Sequence, residues 1–343
     1  MEKLTARQRA RGCLIGTAAG DALGFPVEFL EDYFIFDRYG ERGITEYVLC
    51  DGVACVSDDT QMTLFTAEGL LQAECGADVK ECAARIYGSY LNWLLTQRKN
   101  FDDTDESRKN TPLMRDGRLY SRRAPGATCI SALSSGVCGS VSYKINDSKG
   151  CGGVMRVSPI ALCGGREGIF DDETTAELGA EAAAITHGHP LGYIPAAVLV
   201  FLLRRIMKGE PIRKAVVDAV IYLRKRWQGE FAARMEDLLL SALSLSECGA
   251  DELECILQLG AGWVGEECLA IGVFCALKYS DDFARGLIAA VNHGGDSDST
   301  GAVAGAILGA YLGEDAIPPT YKKSLELYDL LCETADKLCD MRR

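Results

Sequence analysis

The sequence predicts one all-α domain spanning residues 1–343, and three observations carry that expectation. Apolar residues recur at helical spacing along most of the chain, strand-like alternation is scarce, and no linker, composition shift or solenoid-period repeat divides it. With 343 residues, of which 48% are hydrophobic and 25% charged, the chain is long enough for a substantial core. Roughly a dozen helices joined by long functional loops is the expected compact bundle.

The elements follow in order. The start, MEKLTARQRARGCL, lacks the long apolar core and small-residue cleavage site of a secretory leader, and Asp21 interrupts the small apolar run at 13–20. Residues 24–56 read as irregular, with a short hairpin expected within 31–50. Helical patterns then cover 59–74 and 78–98, followed by irregular stretches at 98–128 and 140–153 that are rich in Gly, Asp, Ser, Arg or Pro. Further helical patterns occupy 190–209, 211–227, 230–245, 266–279, 281–292 and 301–313, several opening at Asp, Glu or Pro and closing near Gly. Residues 318–338 read as one last amphipathic helix.

Composition narrows the function classes. A net charge of −13 and a pI near 4.9 disfavour nonspecific binding to nucleic acid or anionic membrane, since both need a basic surface. The basic stretches at 118–123 and 223–227 are local, and the second has the spacing of a solvated helix face. No run of 18 or more apolar residues is present, so no membrane span is expected. The 15 cysteines are scattered, odd in number and without a CxxC pair, which fits free thiols in a reducing compartment better than zinc ligands or disulfides. A cytoplasmic monomer is the expectation.

Two short segments carry more acid than a helix start needs. Ser57, Asp58, Asp59 and Thr60 precede one helical pattern, and Asp296, Ser297, Asp298, Ser299 and Thr300 precede another. Each alone reads as a helix cap, because Ser, Asp and Thr accept hydrogen bonds from free N–H groups. One capping residue suffices, however, and hydroxyls with paired carboxylates suit Mg²⁺, Mn²⁺ or Ca²⁺. The calcium-loop pattern fits Asp296, Asp298, Thr300 and Gly301, but its bidentate acid would fall on Ile307, which rejects it. The pattern D-x-D-x-T at Asp296, Asp298 and Thr300 leaves a phosphohydrolase as a minor alternative.

Further segments stand in a telling order: GCLIGTAAGDALGFPVEF at 12–29, SKGCGGVMRVSPIAL at 148–162, ITHGHP at 185–190, GAGWVGEECLAIGVF at 260–274 and NHGGDSDSTGAVAGAILGA at 292–310. Together, from about residue 8 to 315, they resemble the ADP-ribosylglycohydrolase family, whose all-α fold houses two divalent cations. The resemblance implies that Ser57, Asp58, Asp59, Asp296, Asp298 and Ser299 hold two Mg²⁺ or Mn²⁺ ions. Family members commonly carry Thr where this chain has Ser57 and Ser299, and both replacements keep the hydroxyl.

The same resemblance implies an activity: hydrolysis of the bond between ADP-ribose and a modified acceptor, with arginine on protein first. Serine-linked or nucleic-acid-linked ADP-ribose are alternatives, as is a non-catalytic, crystallin-like member that binds ADP-ribose or serves a structural role. Such a bond breaks through an oxocarbenium-like state that needs the ribose fixed and a water activated. Glu28 and Asp59 are the candidate catalytic carboxylates, with Asp21 a buried organiser of its turn. Gly150, Cys151, Gly152, Gly153, Met155 and His187 are the candidate substrate-binding residues, the glycines admitting phosphate oxygens to backbone N–H groups ahead of a helix. Lys149 and Arg156 are either charge donors to that site or surface residues. His189 is expected to shape a turn, His293 to orient the acidic loop, and Trp263 to line the pocket or anchor the core. Asp102 and Asp103 fall on an exposed loop and stay outside the site.

Overall fold

The chain is described by a computed structural model covering residues 4–342. Its helices are α1 (Ala6–Gly24), α2 (Asp32–Tyr39), α3 (Asp58–Leu71), α4 (Val79–Thr96), α5 (Ala127–Ser134), α6 (Asp172–Ala184), α7 (Pro190–Met207), α8 (Ile212–Arg226), α9 (Glu230–Leu245), α10 (Glu252–Leu259), α11 (Gly265–Lys278), α12 (Phe283–Val291), α13 (Ser297–Leu312), α14 (Thr320–Lys323) and α15 (Tyr328–Cys339). Among the described residues the single sheet is a two-stranded antiparallel ribbon of β1 (Leu49–Cys50) and β2 (Val53–Ala54). The buried apolar side chains form one continuous core.

The organising contact is the antiparallel seam between α1 and α13. A β-carbon on Gly12, Gly16, Gly20 or Gly24 would come within 2.1, 2.1, 1.9 or 2.3 Å of the carbonyl oxygens of Gly309, Gly305, Gly301 and Ser297 respectively. The reverse holds for Gly305 and Gly309, whose β-carbons would meet the oxygens of Gly16 and Gly12 at 2.0 and 1.9 Å. Backbone therefore lies on backbone over four turns, a spacing that any side chain larger than hydrogen prevents. Because the seam is antiparallel, the C-terminal end of α1, bearing Asp21 and leading to Glu28, sits beside the N-terminus of α13.

Around this seam, α3 and α15 pack on α1, while α11, α12 and α7 pack on α13. Helix α7 is long and apolar enough by composition to cross a membrane, and 89% of its most apolar window is buried inside this fold. Helices α6, α8, α9 and α11 provide its cover.

Two expectations about local structure are corrected. Residues 32–39 form helix α2 rather than a hairpin strand, and the ribbon turns at Asp51-Gly52 instead. The aromatic and β-branched run DYFIFDRY suggests a strand, yet Gly40 at φ 86° stops a helix there, and only Ile35 of it is buried. The last helix is also broken. Ser324 and Glu326 pair with both sides of Ala54, Arg123 holds the Glu326 carboxylate, and Leu327 adopts φ 62° before α15 begins. Docking of 324–326 on the ribbon outweighs the helical periodicity of 318–338.

Candidate active site

Helix α3 begins where α1 ends, and Asp21 is the reason. This fully buried carboxylate accepts hydrogen bonds from the backbone of Ser57 at 2.9 and 3.1 Å and of Thr60 at 3.0 Å, and from the Thr60 hydroxyl. It satisfies N–H groups at the start of α3 that would otherwise need a local cap. Ser57 adds its own hydroxyl, 3.2 Å from the Asp59 nitrogen. The carboxylates of Asp58 and Asp59 are thereby left free of the backbone capping of their own helix. Asp58 turns to the cavity, where the Gly126 N–H donates to it at 3.0 Å, while Asp59 Oδ2 is buried without a hydrogen-bond partner.

At the start of α13 the acids approach from the other side. Asp296 caps the helix by accepting from Ser299 N at 3.4 Å, and Asp298 accepts from the same N–H at 2.8 Å. The Asp296 N–H donates to Ala261 O at 2.8 Å, which joins the loop before α13 to the loop before α11. Thr300 turns inward, donating to the carbonyls of Ala290 or Asp296 and meeting His293 Nε2 at 2.9 Å. With Thr300 in the core and no parallel strand ahead of Asp296, the phosphohydrolase alternative loses its geometry.

Glu28 completes the convergence. Carboxylate oxygens of Glu28, Asp296 and Asp298 lie within 4.8 Å of one another, and Glu28 Oε2 is buried with no hydrogen-bond partner. Burial, and then the charges of Asp298 and Asp296, push the Glu28 carboxyl up to about 10. Asp58 rises to about 8, mainly through burial and partly offset by the Gly126 hydrogen bond. Asp21 rises to about 7 from burial and then from Asp298. Burial and the neighbouring acids also raise Asp59 and Asp296 well above the carboxylate range. With Asp298, raised likewise by burial, six acids crowded out of water, with orphaned oxygens, cannot all stay ionised without positive charge. Their all-oxygen donor set with adjacent hydroxyls fits a hard divalent cation.

All of these acids except Asp21 floor a cavity of about 300 Å³. Its walls include Gly150, Cys151, Gly152, Met155, His187 and Ser299. Ser57 stands just behind the wall with its side chain within hydrogen-bonding reach of Asp298, and Gly153 also lies behind it, where a β-carbon would meet Gly192 O at 2.3 Å. Gly150 and Gly152 pack against the His187 ring, which a β-carbon on either glycine would approach to 3.3 and 3.0 Å. The glycine segment continues as short 3₁₀ turns at Cys151–Gly153 and Ser158–Leu162, so the helix expected to follow it is absent.

His187 is buried, with Nδ1 at 2.8 Å from the Thr186 hydroxyl, and burial followed by Arg156 lowers it to about 3. It is a neutral hydrogen-bonding group at physiological pH. Neither cation expected near the glycines faces the cavity. Arg156 is fully buried, donating to Thr186 Oγ1 at 2.7 Å and Ala182 O at 3.2 Å and lying over the Tyr90 ring. It thus positions the Thr186–His187 pair. Lys149 pairs with Glu266 at 2.5 Å. His189 caps α7 by accepting from Leu191 N at 3.0 Å, in agreement with its expected turn role. Asp102 and Asp103 are exposed and outside the cavity.

Residues that the sequence reading passed over also build the site. Phe29 stacks on Trp263 at the mouth, with ring centroids 5.7 Å apart, although the two are 72% and 42% exposed. Ala124, Pro125 and Gly126 form one wall, and the APG punctuation within a long irregular stretch is the only local signal of it.

The family model for ADP-ribosylglycohydrolase matches residues 2–343. The chain is 23% identical to ADP-ribosylhydrolase ARH3 of Gallus gallus, over 97% of this chain and 93% of that one. It is 26% identical to ADP-ribosyl-[dinitrogen reductase] glycohydrolase of Rhodospirillum rubrum, over 93% and 90% of the two chains. A solved structure described as an ADP-ribosylglycohydrolase-related protein complex shares the fold with a TM-score of 0.62, at 23% identity and 99% coverage of both chains. A match of this extent, on a helical fold whose two acidic helix starts converge, makes this chain a member of the ADP-ribosylglycohydrolase family.

Proposed function

We propose that the protein is a metal-dependent hydrolase that releases ADP-ribose from arginine on modified proteins, acting as a cytoplasmic monomer. The coarser activity, cleavage of ADP-ribose glycosidic linkages, follows from family membership. The observation that carries metal dependence is that Asp58 and Asp59 line one cavity with Glu28, Asp296 and Asp298, the last three having oxygens within 4.8 Å of one another. Ser57, Asp58, Asp59, Asp296, Asp298 and Ser299 would hold two Mg²⁺ or Mn²⁺ ions. Bound there, the cations would supply positive charge for ribose hydroxyls and an acidified water.

The chain's own groups do the remaining work. Glu28 stands at the cavity wall, free of hydrogen bonds at Oε2, and is the candidate to take a proton from the attacking water. Asp59 Oδ2 is similarly unpaired and is the second candidate. Neutral His187 and the Gly150–Gly152 wall would meet the ribose and diphosphate. Exposed aromatic faces at the mouth, on a chain of net charge −13, suit a planar cationic acceptor and so support arginine over serine.

The test is hydrolysis of matched substrates by the Mg²⁺- or Mn²⁺-loaded protein. Arginine-, serine- and nucleic-acid-linked ADP-ribose are compared by release of free ADP-ribose, with arginine expected to turn over fastest. A faster serine or nucleic-acid reaction would overturn the acceptor assignment. No release from any of the three, at confirmed metal occupancy, would overturn catalysis.

A further inference from the structure

Away from the active site, the connection between α9 and α10 brings two thiols into contact. Cys248 lies just beyond α9 and is partly exposed, whereas Cys255, at the first turn of α10, is fully buried. Their sulfur atoms are 3.6 Å apart. A disulfide needs about 2.05 Å, so closing it asks for a shift of roughly 1.5 Å in a short loop containing Gly249.

The two thiols are also chemically unequal. The Ala250 N–H, and then the Cys255 thiol, stabilise the Cys248 thiolate and lower its pKa. Burial raises Cys255, and no solvent path is open to it. A partly exposed sulfur whose thiolate is favoured therefore touches a shielded one whose thiolate is disfavoured. This is the division of labour between an attacking and a resolving thiol.

We propose that Cys248 and Cys255 form a redox-active dithiol that hydrogen peroxide converts into an intramolecular disulfide. The Cys248 thiolate attacks one peroxide oxygen, the O–O bond breaks, and the departing hydroxide takes a proton to become water. The resulting sulfenic acid is attacked at sulfur by Cys255, whose proton leaves with the hydroxyl as a second water. Two electrons pass from the dithiol to one peroxide, which ends as two waters. The 3.6 Å contact favours this closure over further oxidation, because Cys255 already stands beside the sulfur that it resolves. The new bond would brace the first turn of α10, the helix that leads through Gly260–Gly262 to Trp263 at the cavity mouth.

The experiment treats the full-length reduced protein with hydrogen peroxide, alkylates remaining thiols under denaturing conditions, and digests with a protease that cuts after glutamate. Cleavage after Glu247, Glu252 and Glu254 places the two cysteines on separate peptides. The expected result is a linked Cys248–Cys255 peptide pair that dithiothreitol separates, with two of the 15 thiols lost to alkylation. Cys248→Ser should abolish the pair and leave Cys255 fully alkylated. Recovery of both cysteines alkylated in the treated wild type would overturn the proposal. So would Cys248 recovered as sulfinic or sulfonic acid, or joined to a different thiol.

Discussion

The two acidic helix starts look interchangeable in sequence, but they solve the same backbone problem in opposite ways. At α3 the capping is delegated: Ser57 serves Asp59 N, and Asp21, carried by another helix, serves Ser57 N and Thr60 N. Asp58 and Asp59 are released from their own helix toward the cavity. At α13 the acids cap for themselves, Asp296 and Asp298 sharing the N–H of Ser299 while still converging on Glu28. A capping carboxylate and a ligating carboxylate are thus not exclusive roles. The asymmetry means that α3 depends on α1 for its geometry, whereas α13 depends chiefly on its own first turn.

The strongest way to break this pairing is to separate the helices that bring it about. Gly305→Val places side-chain carbon 2.0 Å from Gly16 O, and the expected outcome is loss of the folded protein, seen as a missing thermal transition. A variant that melts like wild type would mean that the seam does not hold the two clusters together. Next in size are the carboxylates themselves. Asp298→Asn and Asp59→Asn should each lower kcat/KM by at least about 100-fold and weaken cation binding in a calorimetric titration, with helicity retained. A large loss in one and none in the other would show that only one cluster serves the site.

Removing cations should expose the repulsion that both clusters share. In the cation-free fold, Asp21, Asp58 and Glu28 lie at about 7, 8 and 10, against ordinary values of 3.8, 3.8 and 4.5. The folded state then holds protons more tightly than the unfolded state. Their favourable contribution is complete below the ordinary values and is lost as pH rises through the raised ones. Chelator-treated protein should therefore melt at progressively lower temperature between about pH 5 and pH 8, and Mg²⁺ or Mn²⁺ should flatten that slope. Equal slopes with and without cation would place the ions elsewhere.

The smallest effect separates the two hydroxyls. Ser57→Ala removes a helix cap and should cost about 1 kcal/mol in denaturant unfolding of the chelated protein. Ser299→Ala should cost less, because that hydroxyl contacts side chains, Met155 Sδ at 3.8 Å and the Asp296 carboxylate, rather than a backbone N–H. The reverse order would assign the structural cap to the wrong helix.

Much of the fold was legible because helix signals are local. The apolar periodicity at 190–209 and 230–245 closely anticipates α7 and α9, and Cys13, Cys82, Cys255, Cys268 and Cys275 are buried, as their apolar helical settings suggest. The misread segments are those in which a remote contact decides. Residues 318–338 break because 324–326 dock on the ribbon, and 32–39 form a helix despite β-favouring side chains. Phe29 carried no signal apart from its neighbour Glu28, since stacking on Trp263 joins positions more than 230 residues apart.

By itself, the sequence determined the helical class, the identity of both acid clusters and the family order of the motifs, all properties of residue type and short spacing. Only the tertiary structure decided that Arg156 is an internal brace, that Glu28 shares a point with Asp296 and Asp298, and that Asp21 frees the acids of α3. The physical reason is the glycine seam. Close approach of α1 and α13 depends on which glycine faces which carbonyl across nearly 300 residues, and that register sets where every acid of the site ends.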